Sequence, residues 1–128
     1  MCTQKTKARK YQLTFNNPVD HGFTHEVIRT TLASFPGIQY WCMCDEVGEQ
    51  GTPHTHLYLY SPNAILFTTL QNRFMGAHIE MAKGSHQANR DYIRKEGRWL
   101  DDGKHETNLP ETFEESGDLP PELSLIHI

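Results

Sequence analysis

The segment HTHLYLY, residues 54–60, constrains the fold more than any other stretch, because it alternates in the manner of a β-strand. Successive side chains of a strand point to opposite faces of a sheet. One face of this segment therefore carries a threonine and two leucines, which suit a core. The opposite face carries four aromatic side chains: His54, His56, Tyr58 and Tyr60. We therefore expect a sheet that is buried on one side and presents two neighbouring imidazoles on the other.

Six further segments complete the predicted fold. Strands are predicted at 11–16, 38–46 and 77–82, where β-forming residues cluster or alternate. The first predicted helix begins at Thr24 and ends before Pro36-Gly37. The second lies in the segment 61–74, where Ser61-Pro62 is a good helix start. The third covers 86–96, between the capping residue Ser85 and Gly97. The order β-α-β-β-α-β-α predicts an α+β fold, with an antiparallel sheet and helices packed mainly on one face.

Charge is distributed unevenly along the 128 residues. Residues 1–100 hold eleven bases and eight acids, a balance of +3, whereas residues 101–128 hold one base and eight acids, a balance of −7. We therefore expect a basic flexible arm at 1–10, a single folded domain at 11–105 and an acidic, disordered tail at 106–128. The last six residues, LSLIHI, look foreign to the acidic segment before them. A mildly basic domain is compatible with binding to nucleic acid.

The three cysteines and the hydrophobic runs narrow the class of protein further. Three cysteines, two of them in one predicted strand, indicate reduced thiols and a cytosolic or nuclear setting. We expect Cys42 and Cys44 to be small buried side chains, although a Cys-x-Cys pair can also bind a soft metal. No hydrophobic run approaches the length of a membrane span.

A carboxylate lies within reach of the two imidazoles. If strands 38–46 and 54–60 form a hairpin, Glu46 ends one strand opposite the start of the other, beside His54 and His56. Two imidazoles and one carboxylate suit a divalent ion such as Mn²⁺ or Mg²⁺. Taken alone, the same pattern also fits two solvated histidines on a half-buried sheet.

The last predicted helix carries a second candidate pair. Tyr92 and Lys95 are spaced i, i+3 and therefore share a helix face. A tyrosine hydroxyl can attack phosphorus when a metal polarises the phosphate and a cation neutralises the developing charge. As structure alone, Tyr92 would be an amphipathic core residue and Lys95 a surface charge.

Three ordered motifs resemble those of the replication-initiator (Rep) endonucleases of the HUH superfamily, found in circular single-stranded DNA viruses and related plasmids. The motifs are LTFNNP (13–18), with an aromatic and a leucine exchanged relative to the usual FTLNN; PHTHLYLY (53–60), with Thr55 in place of a hydrophobic residue; and YxxK within NRDYIRKEG (89–97). GAHIEMAKGS (76–85) also resembles the circovirus and nanovirus group. The resemblance covers residues 10–97.

The resemblance implies a ferredoxin-like or RRM-like antiparallel sheet and a set of residue roles. It implies that Glu46, His54 and His56 hold Mn²⁺ or Mg²⁺, and that Tyr92 attacks single-stranded origin DNA with the help of Lys95. It implies a 5′-phosphotyrosine link, reversed by the free 3′-hydroxyl in rolling-circle replication. Contacts with DNA are expected at Asn16, Asn17, Tyr58, Lys83, Arg90 and Arg94.

The resemblance also sets expectations for the longer protein and its setting. Rep proteins usually continue into an ATP-driven helicase and can oligomerise, and here Gly103-Lys104 is followed by His105, so no Walker A motif is present. We therefore expect the nuclease domain alone, acting in the host nucleus or cytoplasm. Two alternatives are a single-tyrosine HUH transposase and a non-catalytic RRM-like binder that stacks bases on Tyr58 and Tyr60.

Overall fold

A single antiparallel sheet organises the computed structural model, which describes residues 6–48, 51–95 and 108–120. Its strands are β1 (Lys7–Asn16), β2 (Tyr40–Val47), β3 (Pro53–Leu66), β4 (His78–Met81) and β5 (Asn108–Gly117), in the spatial order β4-β1-β3-β2-β5. The helices are α1 (His25–Ala33), α2 (Phe67–Arg73) and α3 (His86–Arg94), with a 3-10 turn at Val19–His21. The predicted α+β fold with an antiparallel sheet is confirmed.

The main core lies on the sheet face to which Leu57 and Leu59 of β3 point, as the sequence predicted. Side chains from β1, β2 and β3 meet α1 and α2 there: Tyr11, Leu13, Phe15, Met43, Leu57, Leu59, Ile28, Leu32, Leu70 and Phe74 are all buried. Thr55 shares this face and is fully buried, with its hydroxyl donating to Asp45 at 2.6 Å. Threonine in place of the hydrophobic residue of the motif therefore affects packing in the core and leaves the imidazole face unchanged.

Helices α1 and α3 begin where the sequence predicts. The hydroxyl of Thr24 accepts a hydrogen bond from the Val27 amide, and Ser85 does the same for Ala88, so both are N-caps. Helix α3 ends at Arg94, and Lys95 adopts the left-handed conformation with φ 57°. Among the described residues, no helix is long and apolar enough to cross a membrane.

Helix α3 covers part of the opposite sheet face and forms a second, smaller core. Ile93 packs there against Tyr40, Cys42, Cys44 and Tyr58. Both cysteines are free and buried, as predicted, and burial raises the pKa of the Cys42 thiol to about 12. Two helices thus lie on the main core face, while the third lies on the face that carries the histidines.

Strands β1 and β3 are longer than predicted. Lys7 pairs with Leu66 and Ala8 with Ile65, beyond a bulge that interrupts the ladder. The prediction of a flexible arm is therefore wrong for residues 7–10, and the helix predicted over 61–74 begins only at Phe67. The reason is that each extension supplies the other's backbone partners, with Pro62 at an exposed position.

Part of the segment predicted to be a disordered tail forms strand β5. Residues 108–117 pair antiparallel with β2, so the prediction of disorder is wrong for them. Two of their three acids pair with arginines elsewhere in the fold, Glu114 with Arg29 and Glu115 with Arg90. Charge composition alone could not reveal those partners. The predictions for residues 1–5, for Gly97, for the boundary near residue 105 and for the LSLIHI ending lie outside the described residues.

Candidate active site

The β2–β3 hairpin brings the three predicted metal ligands together. Glu46 is the ladder partner of His54, and His56 lies two residues further along the same face of β3. One ligand atom from each residue lies within 4.8 Å of the others. All three side chains are half-buried. The expectation that Glu46 faces the start of β3 is therefore confirmed.

The donor chemistry of the cluster fits a divalent cation. Oε2 of Glu46 is buried and faces two nitrogen atoms, Nε2 of His56 at 3.3 Å and Nζ of Lys95 at 3.1 Å. Burial acts to raise the pKa of Glu46, but His56 and Lys95 outweigh burial and lower the pKa to about 2. Glu46 is therefore ionised at neutral pH. A buried carboxylate oxygen beside two imidazoles suits Mn²⁺ or Mg²⁺.

Thr14 holds one of the imidazoles from the neighbouring strand. Thr14 is the ladder partner of His56, and its Oγ1 lies 3.2 Å from Nδ1 of the imidazole. This contact orients the ring so that Nε2 faces Glu46, in the way that outer residues orient metal ligands. Sequence reasoning missed Thr14, although its alternation with Gln12 and Asn16 on β1 places it on the imidazole face.

Tyr92 lies on α3 above the same face. Its ring packs edge-on against that of His56, with the centroids 5.9 Å apart. Burial raises the pKa of the Tyr92 hydroxyl, and the negative charges of Glu46 and Glu80 raise it further. The hydroxyl is therefore protonated at neutral pH and must lose its proton when it acts as a nucleophile.

Lys95 lies beside the cluster, but it does not share a helix face with Tyr92 as predicted, because it lies just after the end of α3. Residue 95 ends the helix in the left-handed conformation, and its side chain is 2% exposed. Nζ lies 3.1 Å from Oε2 of Glu46 and 3.7 Å from the centroid of the Tyr92 ring, and it donates to the Tyr92 carbonyl at 2.9 Å. A left-handed lysine costs roughly 1 kcal/mol, which these contacts offset.

The predicted DNA contacts divide into two groups. Asn16 and Asn17 lie at the end of β1, where Asn16 pairs with His54 and Asn17 lines a cavity of about 140 Å³ shared with Glu46 and His54. Lys83 is exposed just before α3. These positions stay compatible with a DNA path past the cluster.

The other predicted contacts are engaged within the fold. Tyr58 is fully buried, and its hydroxyl lies 2.6 Å from Nδ1 of His86, so the expectation of an exposed stacking surface is wrong. The second tyrosine of this stretch, Tyr60, is half-buried with its ring 4.5 Å from that of His86. Arg90 makes a bidentate pair with Glu115. The Arg94 guanidinium lies 4.7 Å from the centroid of the Phe113 ring.

The fold is α+β, with an antiparallel sheet that carries a His-x-His pair and a carboxylate on one face. A helix with a tyrosine lies over that face. This combination is typical of the HUH class of proteins. Residues 8–96 match the family described as "Putative viral replication protein", and the chain belongs to that family. It is similar to the replication-associated protein of pigeon circovirus, with 33% identity over 97 residues, 76% of this chain and 29% of that protein. It is also similar to that of beak and feather disease virus, with 37% identity over 90 residues, 70% and 29% of the two chains. The chain therefore spans under a third of the length of these relatives.

Proposed function

We propose that this protein nicks and joins single-stranded DNA through a covalent 5′-phosphotyrosine, with a bound divalent ion, and so starts rolling-circle replication. The observation that supports the proposal is the convergence of three candidate ligands, a tyrosine and a buried lysine within one cluster. The relatives carry the name replication-associated protein, which agrees with this role. Such a role would place the protein in the host nucleus or cytoplasm.

Each residue has a distinct task in the proposed reaction. The Tyr92 oxygen forms a bond to the scissile phosphorus as the bond from phosphorus to the 3′ oxygen breaks. The tyrosine proton is lost, and the departing oxygen takes up a proton to become a free 3′-hydroxyl. Lys95 neutralises negative charge that develops beside Tyr92. The reverse attack by a 3′-hydroxyl restores the tyrosine and joins the strand.

Glu46, His54 and His56 would hold Mn²⁺ or Mg²⁺, which supplies polarisation of the phosphate when bound. Thr14 keeps His56 turned toward Glu46. Asn17 lines the cavity shared with Glu46 and His54, and Asn16 pairs with His54. Both would contact the DNA strand as it passes the cluster, with Lys83 nearer the start of α3.

The test uses a library of single-stranded DNA of random sequence, labelled at either end and incubated with the protein and Mn²⁺. A 5′-phosphotyrosine product leaves the 3′-labelled fragment on the protein and releases the 5′-labelled fragment with a free hydroxyl. We expect denaturant-resistant transfer of the 3′ label only. Tyr92→Phe should abolish transfer, whereas Tyr60→Phe, a half-buried tyrosine on the same sheet face, should retain it.

The same experiment separates the alternatives. A non-catalytic binder would shift the DNA in a native gel but transfer no label, and that outcome would overturn the proposal. Burial of Tyr58 already removes one of the two stacking platforms on which the binder alternative relied. A transposase would form the same adduct, but the family match and the two circovirus relatives favour a replication protein.

A further inference from the structure

Two bridges connect β2 to α3 through residues of β5. In the first, the buried hydroxyl of Tyr40 donates to Oε1 of Glu115 at 2.7 Å, and the same carboxylate accepts two hydrogen bonds from Arg90 at 2.9 and 3.0 Å. Tyr40 is 1% exposed, so one end of the bridge is fixed in the core. Bidentate pairs of arginine and carboxylate fix geometry as well as charge.

The second bridge is formed at the other end of β5. The Cys44 thiol donates to Oδ1 of Asn108 at 3.2 Å, and the Asn108 amide donates to the carbonyl of Arg94 at 3.0 Å. Carbonyls in the last turn of a helix have no partner inside the helix. Asn108, which is 8% exposed, therefore satisfies the end of α3 directly before Lys95.

The two bridges meet α3 on either side of Tyr92. Arg90 and Arg94 are spaced i, i+4 and share one face of the helix, which also packs on the ring of Phe113. Tyr92 lies about half a turn from both and faces His56 instead. Both bridges begin on β2, the strand that carries Glu46. Strand β5 thus ties helix α3, which carries Tyr92, to strand β2, which carries the candidate metal ligand Glu46.

We propose that Glu115 and Asn108 are positioning residues, which hold α3 so that Tyr92 and Lys95 stand over the Glu46–His54–His56 cluster. This inference rests on the proposed function and changes the expected role of Arg90, which serves the bridge and does not contact phosphate. A displacement of about 1 Å between reacting groups can cost about 100-fold in rate. Loss of either bridge should therefore act on the rate of the chemical step and leave DNA affinity unchanged.

The kinetic test measures single-turnover adduct formation at saturating DNA and Mn²⁺. Glu115→Ala, Arg90→Ala and Asn108→Asp should each lower the rate about 10- to 100-fold. The aspartate at position 108 keeps the shape of asparagine and still accepts from Cys44, but its carboxylate cannot donate to the Arg94 carbonyl and repels it. Glu111→Ala is the matched control, because Glu111 is an exposed acid of the same strand.

Affinity and charge reversal distinguish positioning from DNA contact. On the Tyr92→Phe background, Glu115→Ala and Arg90→Ala should leave the Kd for single-stranded DNA within about twofold of the parent. Reversing the pair, with Arg90→Glu and Glu115→Arg together, should recover most of the rate that either reversal alone removes. Weaker DNA binding for Arg90→Ala at an unchanged saturated rate would overturn the proposal.

A second readout needs neither DNA nor metal. In protein labelled with 3-fluorotyrosine, the Tyr92 fluorine resonance is assigned by its loss in Tyr92→Phe. It should shift or broaden in Glu115→Ala and Asn108→Asp and stay in place in Glu111→Ala. Unchanged Tyr92 resonances in both bridge variants would overturn the positioning role. Absence of any adduct in the wild type, with the Tyr92 resonance still displaced, would overturn the proposed function and leave the positioning role supported.

Discussion

Nζ of Lys95 lies 3.1 Å from Oε2 of Glu46, so a buried ammonium group stands between a candidate metal ligand and the ring of Tyr92. This contact depends on the left-handed turn at residue 95, which folds the side chain back under its own helix. The lysine is consequently fixed by the end of α3 before any substrate arrives. Preorganised charge of this kind stabilises a transition state without a cost for reorganisation.

Lys95→Ala should therefore slow adduct formation by about 10- to 1000-fold without abolishing it. Alanine carries a Cβ as lysine does, so the left-handed conformation at this position is equally strained in both proteins. The measurement is the single-turnover rate at saturating Mn²⁺. Lys7→Ala removes an exposed lysine at the end of β1 opposite to Asn16 and the cluster, and serves as the control. A Lys95→Ala rate equal to that of the wild type would show that the ammonium group has no part in the reaction.

Removal of a candidate ligand should weaken metal binding and adduct formation together. We expect His54→Ala, His56→Ala and Glu46→Gln each to lower the affinity for Mn²⁺ by at least about 10-fold, since loss of an outer partner alone costs that much. Titration calorimetry with Mn²⁺ measures the affinity. His78→Ala is the control, because His78 is exposed and is not a member of the Glu46–His54–His56 cluster. Full adduct formation in excess chelator would contradict the metal assignment.

The parts of the site that local periodicity determines could be predicted from the sequence. Alternation along β3 assigns the two histidines to one face and Thr55 to the other, and the hairpin sets Glu46 opposite His54. The caps Thr24 and Ser85 likewise act within their own helix turns. In each case the decisive interaction joins residues close in sequence, so the pattern carries it.

The parts that failed depend on partners far away in the sequence. Glu115 reads as a solvated acid until Arg90 and Tyr40 are placed beside it. Tyr58 reads as an exposed ring until His86 covers it from α3. The lengths of β1 and β3 were underestimated because each extension exists only when paired with the other. Tertiary contacts of this kind are not visible in local composition.

His25 links three elements and should make stability depend on pH. Its Nε2 lies 2.7 Å from Asp45 on β2, and its Nδ1 lies 2.6 Å from Glu114 on β5. Arg29 of α1 also pairs with Glu114, and Thr55 of β3 donates to Asp45. The hydrogen bond to Asp45, followed by that to Glu114, raises the pKa of His25 above 6.5 despite partial burial. The imidazolium form therefore fits this site.

A group whose pKa is raised by folding stabilises the fold fully below its ordinary pKa, and the effect is lost as the pH rises through the raised value. His25→Gln should lower the free energy of unfolding by about 1–2 kcal/mol near pH 6 and by less near pH 9. The pKa values of Asp45 and Glu114 are lowered, so both carboxylates stay ionised across this range. Urea unfolding of both proteins at the two pH values checks this. A difference that grows with pH would contradict the assignment.

Removal of β5 should destabilise the whole domain, in contrast to the expectation for a disordered tail. Chains ending after residue 105 and after residue 120 make the comparison. The shorter chain loses the ladder with β2, the Phe113 ring and both bridges to α3. Full burial of a phenylalanine is worth about 1.5–3 kcal/mol, of which the half-buried Phe113 supplies a part, and each hydrogen bond to a charged group adds about 1.5 kcal/mol or more. The loss in the free energy of unfolding should therefore exceed about 3 kcal/mol, and the exposed edge of β2 should promote association.

Urea unfolding and light scattering of the two chains measure these effects. A chain ending at residue 105 that is as stable and as monomeric as the longer one would show that β5 is dispensable, and the two bridges to α3 with it.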